Sequence, residues 1–196
     1  MDKVTVKAAL TLFAGLILLM TAGVCYVVGS VIPYIVSYFR MFLKYDVDYD
    51  TFYPLQALTE VMASIVYPIA NLLVVEVFDR RSRPALLLGS IAGVSLLYTC
   101  VTVKVHPHVF IVMYSTGCGV LKGFFKQCSL IAGWSHLGGR KGLVSGIVLG
   151  GYGLGGALYG LCYHNMIDSA NAEPVEDPGD GELYLPQNIG SKYPEI

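Results

Sequence analysis

The stretch that decides the fold runs from Met113 to Gly160 and reads MYSTGCGVLKGFFKQCSLIAGWSHLGGRKGLVSGIVLGGYGLGGALYG. It predicts two apolar helices joined by a short basic hinge at residues 135–141. In water such a glycine-rich second helix would be poor, since each glycine costs about 1 kcal/mol relative to alanine. Inside a bilayer, glycines four residues apart let helix backbones approach closely. We therefore expect the following positions to pack helices in a membrane: Gly146, Gly150, Gly151, Gly155 and Gly156.

The composition of the whole chain also indicates a membrane protein. Of the 196 residues, 55% are hydrophobic and only 14% are charged. Soluble domains average about 25% charged residues. The lipid bilayer is therefore the first expected partner. The formal net charge of −1 gives no reason to expect nucleic acid as another.

Five apolar segments are long enough to cross a bilayer, whose core of about 30 Å needs about 20 helical residues. The expected fold class is therefore an all-α membrane protein with five transmembrane helices. The first segment is longer than a signal-peptide core of about 7–15 residues, and Pro33 predicts a kink or the outer end of its helix. The predicted spans are 8–39, 54–78, 85–103, 109–134 and 142–163.

The segment after the fifth span, residues 164–196, is a polar and acidic tail whose composition favours an irregular loop or disorder. Five spans place most of the basic residues on one side of the membrane, and the positive-inside rule makes that side cytoplasmic or its organellar equivalent. We therefore expect a cytoplasmic amino terminus and a non-cytoplasmic tail. The residues on the basic side are Lys3, Lys7, Arg80, Arg81, Arg83, Arg140 and Lys141.

Two lysines interrupt the apolar fourth span. At about 1.5 Å per residue, Lys122 is about 21 Å along the helix from His108, close to the middle of the bilayer. A central lysine costs at least about 2.5–3.5 kcal/mol on insertion scales, so Lys122 is expected to face a cavity or an acidic partner. Lys126 shares its helix face at i+4 but can extend its ammonium to the interface. Together they form a candidate cationic wall for a carboxylate substrate.

A structural interpretation of Lys122 stays open, in which it pairs with Glu76 or with an acid of a partner chain and only fixes helix packing. Glu60 and Glu76 are expected near opposite ends of the second span, at the interfaces. Tyr67 and Asn71 lie deeper. They either face a polar cavity or bond a neighbouring helix.

The loop after the second span carries a degenerate form of the pattern G-x-x-x-D-R-x-G-R. Asp79, Arg80 and Arg83 match it, whereas Val75 and Ser82 replace its two glycines.

The fourth and fifth spans carry a second pattern. A G-x-G pair at Gly117 and Gly119 is followed by Trp134 and by RKGLVSG at 140–146, before the glycine-rich helix. Together the two patterns resemble the amino-terminal half of a major facilitator superfamily transporter, in particular the branch of oxalate/formate- and monocarboxylate-type carriers. The resemblance covers about residues 8–190.

A full carrier of this type has two halves of six helices, whereas this chain stops after the fifth. The resemblance therefore implies a half-transporter for small organic anions that needs a second half. Helices one and four line the pathway in those carriers, so Tyr26 and Tyr34 join Lys122 and Lys126 as substrate-binding candidates. Ordinary aromatic packing also explains both tyrosines.

The resemblance also implies a gating loop, in which Asp79, Arg80 and Arg83 engage helix ends: a carboxylate can bond a helix N-terminus and an arginine the carbonyls of a C-terminus. The alternative is that the basic residues only anchor the loop on the cytoplasmic side.

The alternative function is a transporter-derived structural subunit of a larger membrane complex that no longer transports. The replaced loop glycines and the missing sixth helix favour it. The sequence shows no nucleophile with an evident base, no phosphate-binding loop and no metal-ligand spacing. We therefore expect neither an enzyme nor a bound cofactor or metal.

Overall fold

The computed structural model describes residues 3–41, 43–78, 82–102 and 106–167, and two short strands at 175–176 and 183–184. The prediction of an all-helical fold is confirmed, with one two-residue antiparallel pair, β1 (Val175–Glu176) and β2 (Leu183–Tyr184), in the tail. The rest of the predicted tail beyond Ile167 lies outside the described residues. The helices are α1 (Lys3–Ala22), α2 (Val28–Met41), α3 (Tyr49–Phe52), α4 (Pro54–Leu72), α5 (Ser82–Thr102), α6 (Pro107–His136) and α7 (Lys141–Ile167).

Four helical segments are long and apolar enough to cross a membrane. Large apolar side chains on their surfaces point away from the bundle, with Leu10 and Leu161 each 63% exposed. Such exposure suits lipid, since broad apolar surface is rare on soluble proteins. The third predicted span coincides with α5, a helix of 21 residues; that α5 crosses the membrane stays a prediction. The four segments are Val6–Tyr26, Tyr49–Val77, Pro107–His136 and Gly138–Tyr163.

The first predicted span is interrupted between α1 and α2, where the chain tightens into a 3-10 turn, Gly23–Tyr26. A Cβ on Gly23 would lie 2.8 Å from backbone atoms of Gly155 and Gly156, so only glycine lets α7 come this close. Pro33 lies inside α2 and does not end the helix. The interruption comes before it, where the first span meets α7.

The central helix is α6, which packs against α1, α4 and α5. Its glycines serve different neighbours. A Cβ on Gly119 would lie 2.5 Å from Met62 Cβ on α4, and one on Gly117 would lie 3.2 Å from the carbonyl oxygen of Gly93 on α5. The G-x-G pair thus lets two helices approach α6 at one level.

The last helix, α7, packs mainly on α1. Gly151 and Gly155 lie against the backbone of α1 at Leu16 and Met20, too close for a Cβ. Gly156 is looser, since a Cβ there would meet Tyr26 Cβ at 3.7 Å.

The packing expected of Gly146 and Gly150 does not occur within the described part of the chain, where a Cβ at either position would meet nothing within 4 Å. They lie on the opposite side of α7 from the row that contacts α1. Four-residue spacing alone could not tell the two rows apart.

Trp134 fixes the hinge between α6 and α7. Its Nε1 donates to the Ser145 hydroxyl at 3.3 Å and lies 3.4 Å from the carbonyl oxygen of Lys141. The predicted hinge contains a short 3-10 turn, Gly138–Arg140. The indole of Trp134 connects the end of α6 to the start of α7 across this turn.

At the other end of α6, an aromatic cluster joins α2, α3 and α6. The ring of Phe39 lies 5.5 Å from that of Phe52 and 5.4 Å from that of Phe110, between centroids. Phe52, on the single-turn α3, is fully buried in this cluster. This cluster closes the end of the bundle opposite the Trp134 hinge.

Candidate functional site

Lys122 is buried at the centre of the bundle. It lies fifteen residues after Pro107 and fourteen before His136, and its side chain is 3% exposed. Its Nζ forms an ion pair with Glu60 Oε1 on α4 and lies 3.8 Å from the centroid of the Tyr26 ring. Lys122 thus has both an acidic and an aromatic partner, as the cost of a central lysine demands.

The acidic partner is Glu60, not Glu76. The apolar segment that holds Glu60 begins at Tyr49 rather than Pro54, so Glu60 lies eleven residues inside it. This places Glu60 deeper than the interfacial position predicted from the sequence. Glu76 lies at the far end of the same segment, where it is exposed in a π-helical turn, Leu73–Val77.

Lys126 lies one turn further along α6 and is half-buried. Its Nζ lies 4.8 Å from the centroid of the Tyr67 ring on α4. Tyr67 therefore faces a charged group at the site, the first of the two alternatives left open by the sequence.

These side chains surround a cavity of about 220 Å³, which we call the lysine cavity. At about 30 Å³ per water molecule, its volume corresponds to about seven waters, so it suits a small ligand. Besides small residues, its walls carry six polar or aromatic side chains: Tyr26, Glu60, Tyr67, Lys122, Lys126 and Tyr152.

Two further polar contacts fix the position of α4 along the axis of α6. The Ser115 hydroxyl donates to the carbonyl oxygen of Leu55 at 3.2 Å, and Gln127 Nε2 donates to Asn71 Oδ1 at 2.5 Å. The partners rise in the same order along both helices, so α4 and α6 are parallel. Asn71 therefore bonds a neighbouring helix, and the ion pair lies between two fixed points.

Tyr152 joins α7 to the same place. Its hydroxyl donates to the backbone carbonyl of Lys122 at 3.1 Å, and its ring meets that of Tyr26 edge-on at 5.6 Å between centroids. A wider cavity of about 520 Å³ lies beyond these two tyrosines, along the small residues Gly153, Gly156 and Gly160. The first span, α4, α6 and α7 therefore all contribute to one polar centre.

Tyr34 does not belong to this centre. It lies on α2, and its ring packs edge-on against Tyr163, with 5.7 Å between centroids. Aromatic packing thus accounts for Tyr34. Tyr26, in contrast, reaches Lys122 because the 3-10 turn places it there.

Of the predicted gating loop, Asp79 and Arg80 lie outside the described residues. Arg83 is exposed in the first turn of α5 and lines a cavity of about 580 Å³ together with Asn71, Trp134 and Lys141. Arg83 thus lies close to the α6–α7 hinge. The π-helical turn at the end of α4 leads into this loop, and such turns are frequent at functional sites.

Sequence reasoning missed Glu60 and Tyr152 as site residues. A signal existed for Glu60, because it is an acid within the second span while Lys122 is a base within the fourth, and buried charges need opposite partners. No signal distinguished Tyr152 from the other tyrosines, of which the chain has 14.

The site offers two ammonium groups, one carboxylate and three phenol rings, a set that can hold a small anion by charge and hydrogen bonds. Within the described ranges, no three His, Cys, Asp or Glu side chains are close enough to hold a metal ion.

No protein-family model, curated protein or solved structure matches this chain. The fold and site define a class only: a helical chain with four candidate membrane spans and a half-buried ion pair beside a small polar cavity. The resemblance to the major facilitator superfamily stays a prediction.

Proposed function

We propose that this chain is a half-transporter that carries small organic anions, of monocarboxylate or oxalate type, across a membrane together with a second half. The observation that carries the proposal is the buried Lys122, which lines a small cavity with Lys126 at the middle of α6. Ionisable residues inside spans are costly and mark substrate or ion pathways in membrane proteins. In this proposal the chain corresponds to the amino-terminal half of a major facilitator transporter, with five spans and a cytoplasmic amino terminus.

In this proposal a substrate carboxylate enters the lysine cavity and meets the half-buried Lys126. It then accepts a hydrogen bond from the ammonium of Lys122, which stays paired with Glu60. The side chain of Glu60 is 46% exposed and lines the cavity, so a substrate can reach the pair. Arg83 and the loop before it gate access from the cytoplasmic side.

A second half is required because alternating access depends on two bundles that move around a site between them. The exposed side of Glu60 and the wider cavity along α7 leave the polar centre open on this chain. The partner's bundle would cover that opening in one state and uncover it in another.

A second candidate function is a transporter-derived structural subunit that does not transport. The ion pair favours it, because Glu60 neutralises Lys122 and thereby fixes α4 against α6. An ion pair between packed helices can serve packing specificity alone.

The test begins with the native mass of the chain extracted in a mild detergent, with its partners identified by mass spectrometry. The half-transporter proposal expects one partner of comparable size. The chain and this partner are then reconstituted in vesicles, and uptake of labelled lactate and oxalate is measured for the wild type and for Lys122→Ala.

We expect Lys122→Ala to lower uptake by about tenfold or more, as loss of a charged binding partner does. Lys7→Ala, which removes an exposed lysine near the start of α1, is the matched control and should transport normally. Recovery only within a large complex of fixed composition, with no uptake by any variant, would instead establish the structural subunit.

A further inference from the structure

We propose that the lysine cavity selects singly charged anions over doubly charged ones, and that Glu60 sets this preference. The inference rests on the proposed function and names the substrate class within it. It makes Glu60, which sequence reasoning placed at an interface, the residue that determines specificity.

The charges on the cavity walls set how much ligand charge the site can balance. Of the described residues that line the cavity, three carry a formal charge, namely Lys122, Lys126 and Glu60. The empty cavity therefore has a net charge of one positive unit. A monoanion brings this charge to zero, whereas a dianion leaves an uncompensated negative charge inside the bundle, where burying a net charge is costly.

The two lysines of the cavity offer a ligand a limited number of hydrogen-bond donors. An ammonium has three N–H donors. Glu60 Oε1 accepts one from Lys122, and the face of Tyr26, 3.8 Å from the ammonium nitrogen, takes up another side of the group. Lys122 can therefore give a ligand one donor, and Lys126 on the next turn supplies the others. This set of donors suits a ligand with one carboxylate that bridges the two lysines better than a ligand with two carboxylates.

Glu60 is held in position at the cavity wall. Its Oε1 is held by Lys122 and by Gln56 Nε2, the latter at 3.2 Å, so the carboxylate stays in place, and Glu60 is one of the residues that line the cavity. A second negative charge on the ligand meets this carboxylate directly. Like-charge contacts of this kind suppress the wrong partner.

The substitution Glu60→Gln removes the negative charge of this side chain but keeps its shape. Glutamine keeps a carbonyl oxygen that accepts from Lys122, and it fills nearly the same volume. The substitution raises the net charge of the cavity to two positive units, which matches a dianion. The preference should therefore reverse.

The experiment compares propionate and malonate, two anions of similar size that carry one and two charges at neutral pH. Their affinities are measured by calorimetry for the full chain in lipid nanodiscs, with its partner half if one is identified. We expect the wild type to bind propionate more tightly by about tenfold or more, and Glu60→Gln to bind malonate more tightly.

Two further variants keep the test decisive. Lys126→Gln brings the net charge to zero and should weaken propionate by about tenfold, even if Glu60→Gln fails to fold. Lys7→Gln removes a lysine outside the cavity and should leave both affinities unchanged.

The possible failures are distinct. Equal wild-type affinities, an unchanged ratio in Glu60→Gln, or unchanged propionate binding in Lys126→Gln would each overturn the selectivity while leaving anion binding in place. If no anion binds the wild type at all, the proposed function fails together with the inference.

Discussion

The two glycine-rich helices of the hinge region, α6 and α7, have opposite environments. They contain 30 and 27 residues, and both carry closely spaced glycines in an apolar sequence. On α6, Gly117, Gly119 and Gly123 all lie against atoms of α4 or α5. On α7, one row contacts α1, while Gly146 and Gly150 meet nothing within 4 Å in the described part of the chain. Glycine content thus shows that close approach is possible, but not on which face it occurs.

The difference follows from the position of each helix in the bundle. Since α6 has neighbours on three sides, it carries most of the buried polar side chains of the described residues, including Lys122 and Gln127. Buried polar groups need partners, and the neighbouring helix α4 supplies Glu60 to Lys122 and Asn71 to Gln127. The edge helix α7 instead reaches the polar centre through a single hydroxyl, that of Tyr152.

The largest expected effect comes from adding a methyl group at a packed glycine of α6; the same change at an unpacked glycine of α7 is its control. In Gly119→Ala the new Cβ would lie 2.5 Å from Met62 Cβ and 2.9 Å from the backbone nitrogen of Ala63, and neither atom can move alone. We expect a loss of about 2–3 kcal/mol in the free energy of unfolding, typical of overpacking. Denaturant unfolding in detergent micelles measures it.

Gly146→Ala is the matched control on α7. Its methyl group meets open space, so stability should stay the same or rise by up to about 1 kcal/mol from helix propensity. Equal losses at both positions would contradict the contrast between the helices. A loss at Gly146 only in the native membrane would show that another chain covers this row.

The ion pair between α4 and α6 should give the next largest effect. Lys122→Met removes the ammonium and leaves Glu60 without its partner, for an expected loss of about 1.5–3 kcal/mol, as for hydrogen bonds to charged groups. Lys126→Met, which removes a half-buried lysine on the same helix, should cost less.

A double-mutant cycle isolates the pair. In a Glu60→Gln background, Lys122→Met should cost about 1 kcal/mol less than in the wild type, because the charge it balances is already gone. Additive losses would show that the two side chains do not stabilise the fold through each other.

The smallest expected effect concerns the contact of α7 with α6. Tyr152→Phe removes the hydrogen bond from the hydroxyl to the carbonyl of Lys122, for an expected loss of about 1 kcal/mol. Asn165→Ala is a control on the same helix, since it removes an exposed bond to the carbonyl of Leu161, within α7. An effect of Asn165→Ala as large as that of Tyr152→Phe would argue against a specific link between the helices.

Much of the helical layout follows from the sequence. The predicted spans at 54–78, 109–134 and 142–163 fall on described helices to within a few residues at most ends. Apolar run length and flanking polar residues set these limits, because a bilayer core of about 30 Å fixes how many residues must be apolar. The need of Lys122 for a partner also follows from the sequence, since an unpaired charge there is too costly.

The identity of that partner is decided only by the tertiary structure. Glu60 meets Lys122 because the apolar segment that holds it begins at Tyr49, before α4, and because Ser115 and Gln127 fix the position of α4 along α6. The tertiary structure also decides the position of Tyr26, since the 3-10 turn that begins at Gly23 brings its ring against the ammonium of Lys122. A sequence sets which residues each helix carries. The relative height and rotation of packed helices, which depend on contacts across the whole bundle, decide which of them meet.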